Sequence, residues 1–303
     1  VSALGLLPVL GAALVAPLFL GIVTRTKSIF AGRQGPPLLQ LYADLAKLAR
    51  KGAVLSRTTT WVFRLAPAAS VASALTALLL LPQGGLPAAL AFPGDFLVLV
   101  FLLAAARFLL MLAALDTGSP FEGMGASREA AFAALAEPVL LLCLAAAARE
   151  AGQGSLSGII GGVTGAQWVR SGPALVLLAV SLLAILLAEN ARIPVDDPRT
   201  HLELTMIHEV MILDHGGPDL ALLLYGSAVK LWVMGALVVG LLLPGHTGSA
   251  GLDGVIFLGG MGVLAVAIGI IESTIARLRL QRVPQFLVGA GAFAVMALAL
   301  VLR

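Results

Sequence analysis

The chain has few of the residues from which soluble enzymes build their sites. Its one cysteine, Cys143, falls inside an apolar run. A single thiol makes no internal disulfide and cannot hold an iron–sulfur cluster, which takes about four thiolates. If electrons are involved, other subunits carry them. Charged residues are 12% of the total, against roughly 25% in an ordinary soluble domain. No 20- to 50-residue repeat is visible, and there is no room for a soluble domain. Repeats and interrupted spans are the usual marks of a stand-alone secondary transporter, and their absence argues against that class. The glycines of "GQGSLSGIIGGVTG" follow no strand, so they do not make a nucleotide-binding fingerprint.

What is present is mostly apolar: 59% of residues are hydrophobic and the mean hydropathy is +1.02. Eight apolar runs reach the roughly 20 residues needed to cross a hydrocarbon core as helices. They cover about 3–23, 60–81, 95–115, 128–148, 173–190, 218–243, 254–276 and 284–302. Because lipid offers no partner to a free backbone amide, spanning chains are helical bundles or closed barrels. Long Leu- and Ala-rich runs mean helices. The expectation is an all-α, polytopic membrane protein, one integral domain over 1–303. The first run has no basic segment ahead of it and no small-residue cleavage site, so it reads as a retained span.

Cations set the expected orientation. The odd-numbered connections carry Arg25, Lys27, Arg33, Lys47, Arg50, Lys51, Arg57, Arg64, Arg128, Arg192, Arg199, Arg277, Arg279 and Arg282, and the other side carries Arg149, Arg170 and Arg303. The positive-inside rule places the first set in the cytoplasm and both termini outside. The net charge of +3 is a product of this topology and no footprint of nucleic acid.

Two connections carry helical patterns of their own. In "RQGPPLLQLYADLAKLARK", Leu38, Leu41, Tyr42, Leu45 and Leu48 recur at three- and four-residue steps, opposite Gln40, Asp44, Lys47 and Lys51. This predicts an amphipathic helix lying in the membrane interface, with Pro36 and Pro37 in its first turn. In the fifth connection Asp197 can cap a second helix, Pro198 suits its first position, and Gly216-Gly217-Pro218 ends it.

That fifth connection and its flanks, Glu189 to Leu220, hold seven of the sixteen carboxylates and three of the four histidines. His201, His208 and His215 recur every seventh residue, about 10 Å apart along a helix, beyond the reach of one zinc ion with bonds of about 2.0–2.1 Å. "HEVMI" also lacks the second histidine of a zinc-helix motif, so interface or pH-sensitive roles fit better than metal ligation. Arg199 and Glu203 stand four apart and can pair on a solvated face, the reading that also suits Glu209, Asp214 and Asp219. Within the spans lie Arg107, Glu137, Lys230 and, near a helix end, Glu272. Each would cost about 2.5–3.5 kcal/mol facing lipid at mid-depth, so each is expected to face the bundle interior or a wet cavity. They serve either as structural ion pairs or as a proton or ion path.

Taken together, "RQGPPLLQLYADLAKL", "LDTGSPF", "GASREAAFAALAEP", "ENARIPVDD" with "HLEL", and "ARLRLQRVP" resemble, in order and over almost the whole chain, the eight-helix subunit of respiratory complex I that docks the hydrophilic arm. The resemblance is closer to its counterpart in membrane-bound nickel–iron hydrogenases of the formate hydrogenlyase type (group 4). Arg199 and His201 stand near positions where the family often has Glu, while Glu203 falls on a matching carboxylate. The resemblance implies a non-redox membrane subunit that docks the redox arm and couples electron transfer to proton or sodium movement. The alternative is the quinone-binding subunit of an NADH or ferredoxin dehydrogenase. Carried over residue by residue, Glu137, Glu189, Asp196 and Glu203 match the proton relay, and Arg33, Arg128 and Arg192 match basic positions near the chamber floor. It further implies no metal or cofactor in this chain. Iron–sulfur clusters and a nickel–iron centre would sit in hydrogenase-like large and small subunits and an iron–sulfur subunit, beside antiporter-like membrane subunits, with lipid and quinone as further contacts. The implied location is the inner membrane.

Overall fold

The computed structural model describes residues 3–196, 206–243 and 247–302, and among these the regular structure is helical. The helices are α1 (Ala3–Phe30), α2 (Gln40–Ala49), α3 (Trp61–Leu80), α4 (Asp95–Asp116), α5 (Pro120–Ala151), α6 (Leu156–Gly162), α7 (Gly165–Glu189), α8 (Gly217–Leu242), α9 (Ala250–Thr274) and α10 (Val283–Val301). Eight of them, all but α2 and α6, are long and apolar enough to cross a membrane, and the protein is a multi-pass membrane protein. Even α10, with 19 residues, is about 29 Å long at 1.5 Å per residue.

Helix ends follow local chemistry. Thr164 and Gln167 form a reciprocal capping box that starts α7. Pro218 stands in the first turn of α8, where a missing amide costs nothing. Gly152, at φ 63°, ends α5 in the left-handed conformation that glycine adopts without strain.

The spans differ from the hydropathy pattern most at three helices, and of these α7 starts at Gly165, ahead of the expected 173, with a kink at Ser171. α1 runs on to Phe30, because Lys27 finds an acid, Glu272, on α9. α5 begins at Pro120, because its early charges face protein: Glu122 accepts the Asp214 amide at 3.0 Å, and Arg128 donates to the Met206 carbonyl at 2.9 Å.

Helix α8 runs through the middle of the bundle, packed on α1, α2, α3, α7 and α9. Trp232 meets Phe19 of α1 and Phe257 of α9 edge-on, at 6.0 and 6.4 Å. α7 packs on α10, α5 and α8, and α4 bridges α3 to α5. The outer faces carry exposed aliphatics such as Leu7, Leu10, Val263 and Val288, as lipid contact requires.

The two connection segments depart from expectation. α2 is amphipathic with no buried residue, but the chain leading into it doubles back along α1. Gly35 abuts Ser28, and the Leu38 carbonyl lies so close to Gly21 that an added Cβ would sit 2.1 Å from its oxygen. Helix α2 then lies against α1 and α8, which places its first turn beside the bundle and not merely across its end. In the fifth connection, residues 197–205 lie outside the described residues, among them Asp197, Pro198, Arg199, His201 and Glu203. From 206 to 216 the chain makes no α-helix, only a 3-10 turn over Glu209–Ile212. Side chains hold its amides instead: Asp196 accepts from Ile207 and His208 at 3.0 and 3.3 Å, and Glu122 accepts from Asp214.

Candidate functional site

Arg107, in the middle of α4, is 3% exposed and sits among three carboxylates. Its Nε lies 3.2 Å from Glu129, one terminal nitrogen donates to Glu137 at 2.8 Å, and the other donates to Glu189. Lys230 of α8 completes the group, 3.0 Å from the Glu189 carboxylate and donating to the Glu189 carbonyl at 2.6 Å. Four helices therefore meet at one cluster. Glu137, expected in the bundle interior, and Glu189, matched to the relay by resemblance, share one guanidinium, and Arg107 is the centre of the group. Three carboxylates against two cations leave one excess negative charge when all are ionised. A planar five-donor guanidinium suits this many-sided pairing better than an ammonium could.

Glu129 escaped the sequence reading. It sits at what hydropathy marks as the very start of a span, but α5 begins earlier, and Glu129, Ala133 and Glu137 form an i, i+4, i+8 stripe on one face. That spacing was the available signal.

A second group lies beside the first. Glu272 of α9, its side chain fully buried, is at ion-pair distance from Lys27 of α1 and 3.4 Å from Arg192. Asp196 pairs with Arg277 at 2.9 Å through one oxygen and takes two backbone amides on the other. Asp196 is thus the anchor of the fifth connection and also pins it to the seventh. Of the remaining expected residues, Arg128 holds the fifth connection through Met206, and Arg33 is exposed in the turn after α1.

A cavity of about 320 Å³ opens against both groups. Leu20, Thr24 and Lys27 of α1, Ser70 and Ser73 of α3, Arg107, Glu189, Arg192 and Lys230 are on its wall, as are His208 and Glu209. Glu209 therefore faces a cavity where a solvated helix face was expected. A much smaller space of about 20 Å³ touches Arg107, Glu129, Glu189 and Asp196 from the other side. It joins the two acid groups by shared walls. His208 is held down at about 4 by burial, then by Lys230 and Arg107, against the pull of Asp196. His215 is also pushed down to about 4 by burial, stacked on Phe63 at a centroid distance of 3.8 Å. Both histidines are therefore neutral near pH 7, and neither is placed as a metal ligand: among the described residues no three His, Cys, Asp or Glu gather as a metal site would require. Cys143 is buried and donates to Ser181 at 3.1 Å, a packing role.

Comparison with known proteins agrees with this architecture. A structure of the membrane-bound sulfane sulfur reductase, an archaeal respiratory membrane complex, contains a chain that superposes with a TM-score of 0.84 over 98% of each chain, at 21% identity. Formate hydrogenlyase subunit 4 of Escherichia coli K12 is 32% identical over 289 residues, 93% of each chain. Hydrogenase-4 component C of the same organism is 36% identical over 234 residues, 76% of this chain and 72% of its own length. The family model described as NADH dehydrogenase matches residues 3–302, and with a relative 32% identical over 93% of each chain the chain belongs to that family.

Proposed function

We propose that this chain is the membrane subunit of a multisubunit, complex I-like oxidoreductase of the group 4 hydrogenase type, in which it docks the redox arm and passes protons through the Arg107 cluster. The observation that carries the reading is the convergence of Glu129, Glu137 and Glu189 on one buried arginine at the wall of a cavity. The excess acid of that group makes a place for one proton, since an unbalanced buried charge is costly. Glu137, with 33% of its side chain exposed, is the open end of the group, and Glu189, at 2%, is the closed one. Redox change in a neighbouring subunit alters the local potential, which moves the proton occupancy of nearby acids. Asp196, tied to both Arg277 and the fifth connection, is the element through which occupancy would act on the docking face.

In this reading the basic end faces the cytoplasm, both termini lie outside, and the membrane is the inner one. Iron–sulfur clusters and any nickel–iron centre belong to the large, small and iron–sulfur partner subunits, with antiporter-like subunits beside this one. Glu203 extends the relay into the fifth connection. The cavity wall joins Lys27, Arg107, Arg192, Lys230, two carboxylates and several hydroxyls to an apolar stretch that includes Leu20, Leu103, Leu110 and Leu223, so its charged side suits ordered water.

The test is to measure ions moved per electron in proteoliposomes holding the whole complex. Glu189→Gln and Glu129→Gln are expected to keep electron transfer and lower the ion yield at least severalfold. A full yield in both variants refutes the relay. Competition of turnover by a quinone analogue would favour the quinone-chamber alternative.

A further inference from the structure

The chain has two tyrosines, and their hydroxyls converge on adjacent carbonyls of one helix. Tyr225 of α8 donates to the Ala13 carbonyl at 3.0 Å, and Tyr42 of α2 donates to the Leu14 carbonyl. For Tyr225 the choice of acceptor has a covalent cause, while the Leu14 carbonyl bonded by Tyr42 is the next one along and keeps the Leu18 amide in register. Pro17 lies inside α1 and has no amide hydrogen, so the Ala13 oxygen loses the donor that an unbroken helix would supply. In lipid such a carbonyl must be satisfied by a neighbouring side chain or by water. Here the neighbour is α8 through Tyr225, and α2 adds Tyr42 on the adjacent carbonyl.

The part of α1 beyond Pro17 forms one side of the cavity. Leu20, Thr24 and Lys27 lie at four- and three-residue steps on a single face, and Lys27 reaches Glu272. The segment that follows α1 is pressed back against the helix, Leu38 at Gly21 and Gly35 at Ser28. A proline-interrupted helix has a soft point at the proline; in this protein that point is held from both sides, by α2 and by α8.

We propose that Tyr42 and Tyr225 are positioning residues, forming a hydroxyl clasp on the carbonyls at Pro17 that sets the cavity-facing half of α1 and keeps Lys27 on Glu272. This inference rests on the proton-path reading for its functional consequence and on the hydrogen bonds alone for its structural one. Helix α2 has no buried residue, so its hold on α1 depends on few contacts, and Tyr42 makes α2 a lever on the cavity wall.

The test uses the reconstituted complex with Tyr225→Phe, Tyr42→Phe and each combined with Pro17→Ala. Two quantities are read: hydrogen exchange of the α1 amides from Leu18 to Lys27, and ions moved per electron. Loss of one hydroxyl is expected to speed exchange roughly two- to tenfold, the size of one net hydrogen bond, and to lower the ion yield. Pro17→Ala returns a backbone amide to Ala13, so it is expected to restore both quantities in the Tyr225→Phe background. Unchanged exchange in both tyrosine variants, or a Pro17→Ala change that fails to restore Tyr225→Phe, overturns the clasp. Glu189→Gln serves as the separate arm. If it lowers the ion yield while the tyrosine variants alter exchange alone, the positioning role is refuted and the proton path stands. If Glu189→Gln leaves the yield intact, the proton path fails and exchange alone judges the clasp.

Discussion

Histidine 215 offers a prediction that can be worked through from geometry. Its ring is 4% exposed, stacks on Phe63 at an interplanar angle of 8°, and has no hydrogen-bond partner for either nitrogen among the described residues. Burial lowers its pKa from the ordinary 6.5 to about 4. The sign follows: the folded state holds the neutral ring, so this contribution to stability is complete above pH 6.5 and is lost as pH falls toward 4, where both states take the proton. One pKa unit corresponds to about 1.4 kcal/mol, so the loss reaches about 2 kcal/mol at pH 5 and about 3 kcal/mol below pH 4. His208, also near 4, adds a slope of its own, so the informative quantity is the difference between proteins. His215→Phe keeps an aromatic ring against Phe63 and removes two unpaired buried nitrogens. It should be neutral or stabilising at pH 7.5. The assay is hydrogen exchange of residues 206–218 in the solubilised complex from pH 7.5 to 5, corrected for intrinsic exchange. The variant should lose about 2 kcal/mol less of local stability over that range than the wild type. Equal slopes in the two proteins would refute the assignment of a neutral, buried His215.

Two further outcomes follow from the packing. Lys27→Met with Arg192→Met leaves Glu272 buried without either cation, and thermal stability should fall by about 3–5 kcal/mol; adding Glu272→Gln should return much of that loss, and no recovery would mean the ion pairs are not what holds α9 to α1. Gly21→Ala puts a Cβ 2.1 Å from the Leu38 carbonyl, so the entry into α2 must move; exchange in residues 35–45 should rise while that of α10 stays unchanged.

The eight spans and the basic end were legible in sequence because lipid enforces both: every backbone group must be paired within a helix, and charge must be kept out of the oil. The same rule marked Arg107, Glu137, Lys230 and Glu272 as residues that must find partners. It could not name those partners. That Glu129, Glu137 and Glu189 meet at Arg107 depends on how α4, α5 and α7 pack, a matter of side-chain shape over distances of up to 82 residues along the chain. Glu129 was hidden for a related reason. Hydropathy opened that span at about 128, which made Glu129 a helix-end charge, whereas α5 begins at Pro120 and carries Glu129 well inside the helix, against Arg107.

Sequence by itself determined that the chain is a helical membrane protein, which ends of its helices carry the cations, and which residues lipid would not tolerate. Tertiary structure alone decided that the Ala13 carbonyl orphaned by Pro17 is met by tyrosine, that Asp196 anchors the fifth connection, and that five charges gather around Arg107 and Glu189. The physical reason is that burial in lipid is a local property of each segment, while pairing is a property of two surfaces and exists only once helices have been brought together.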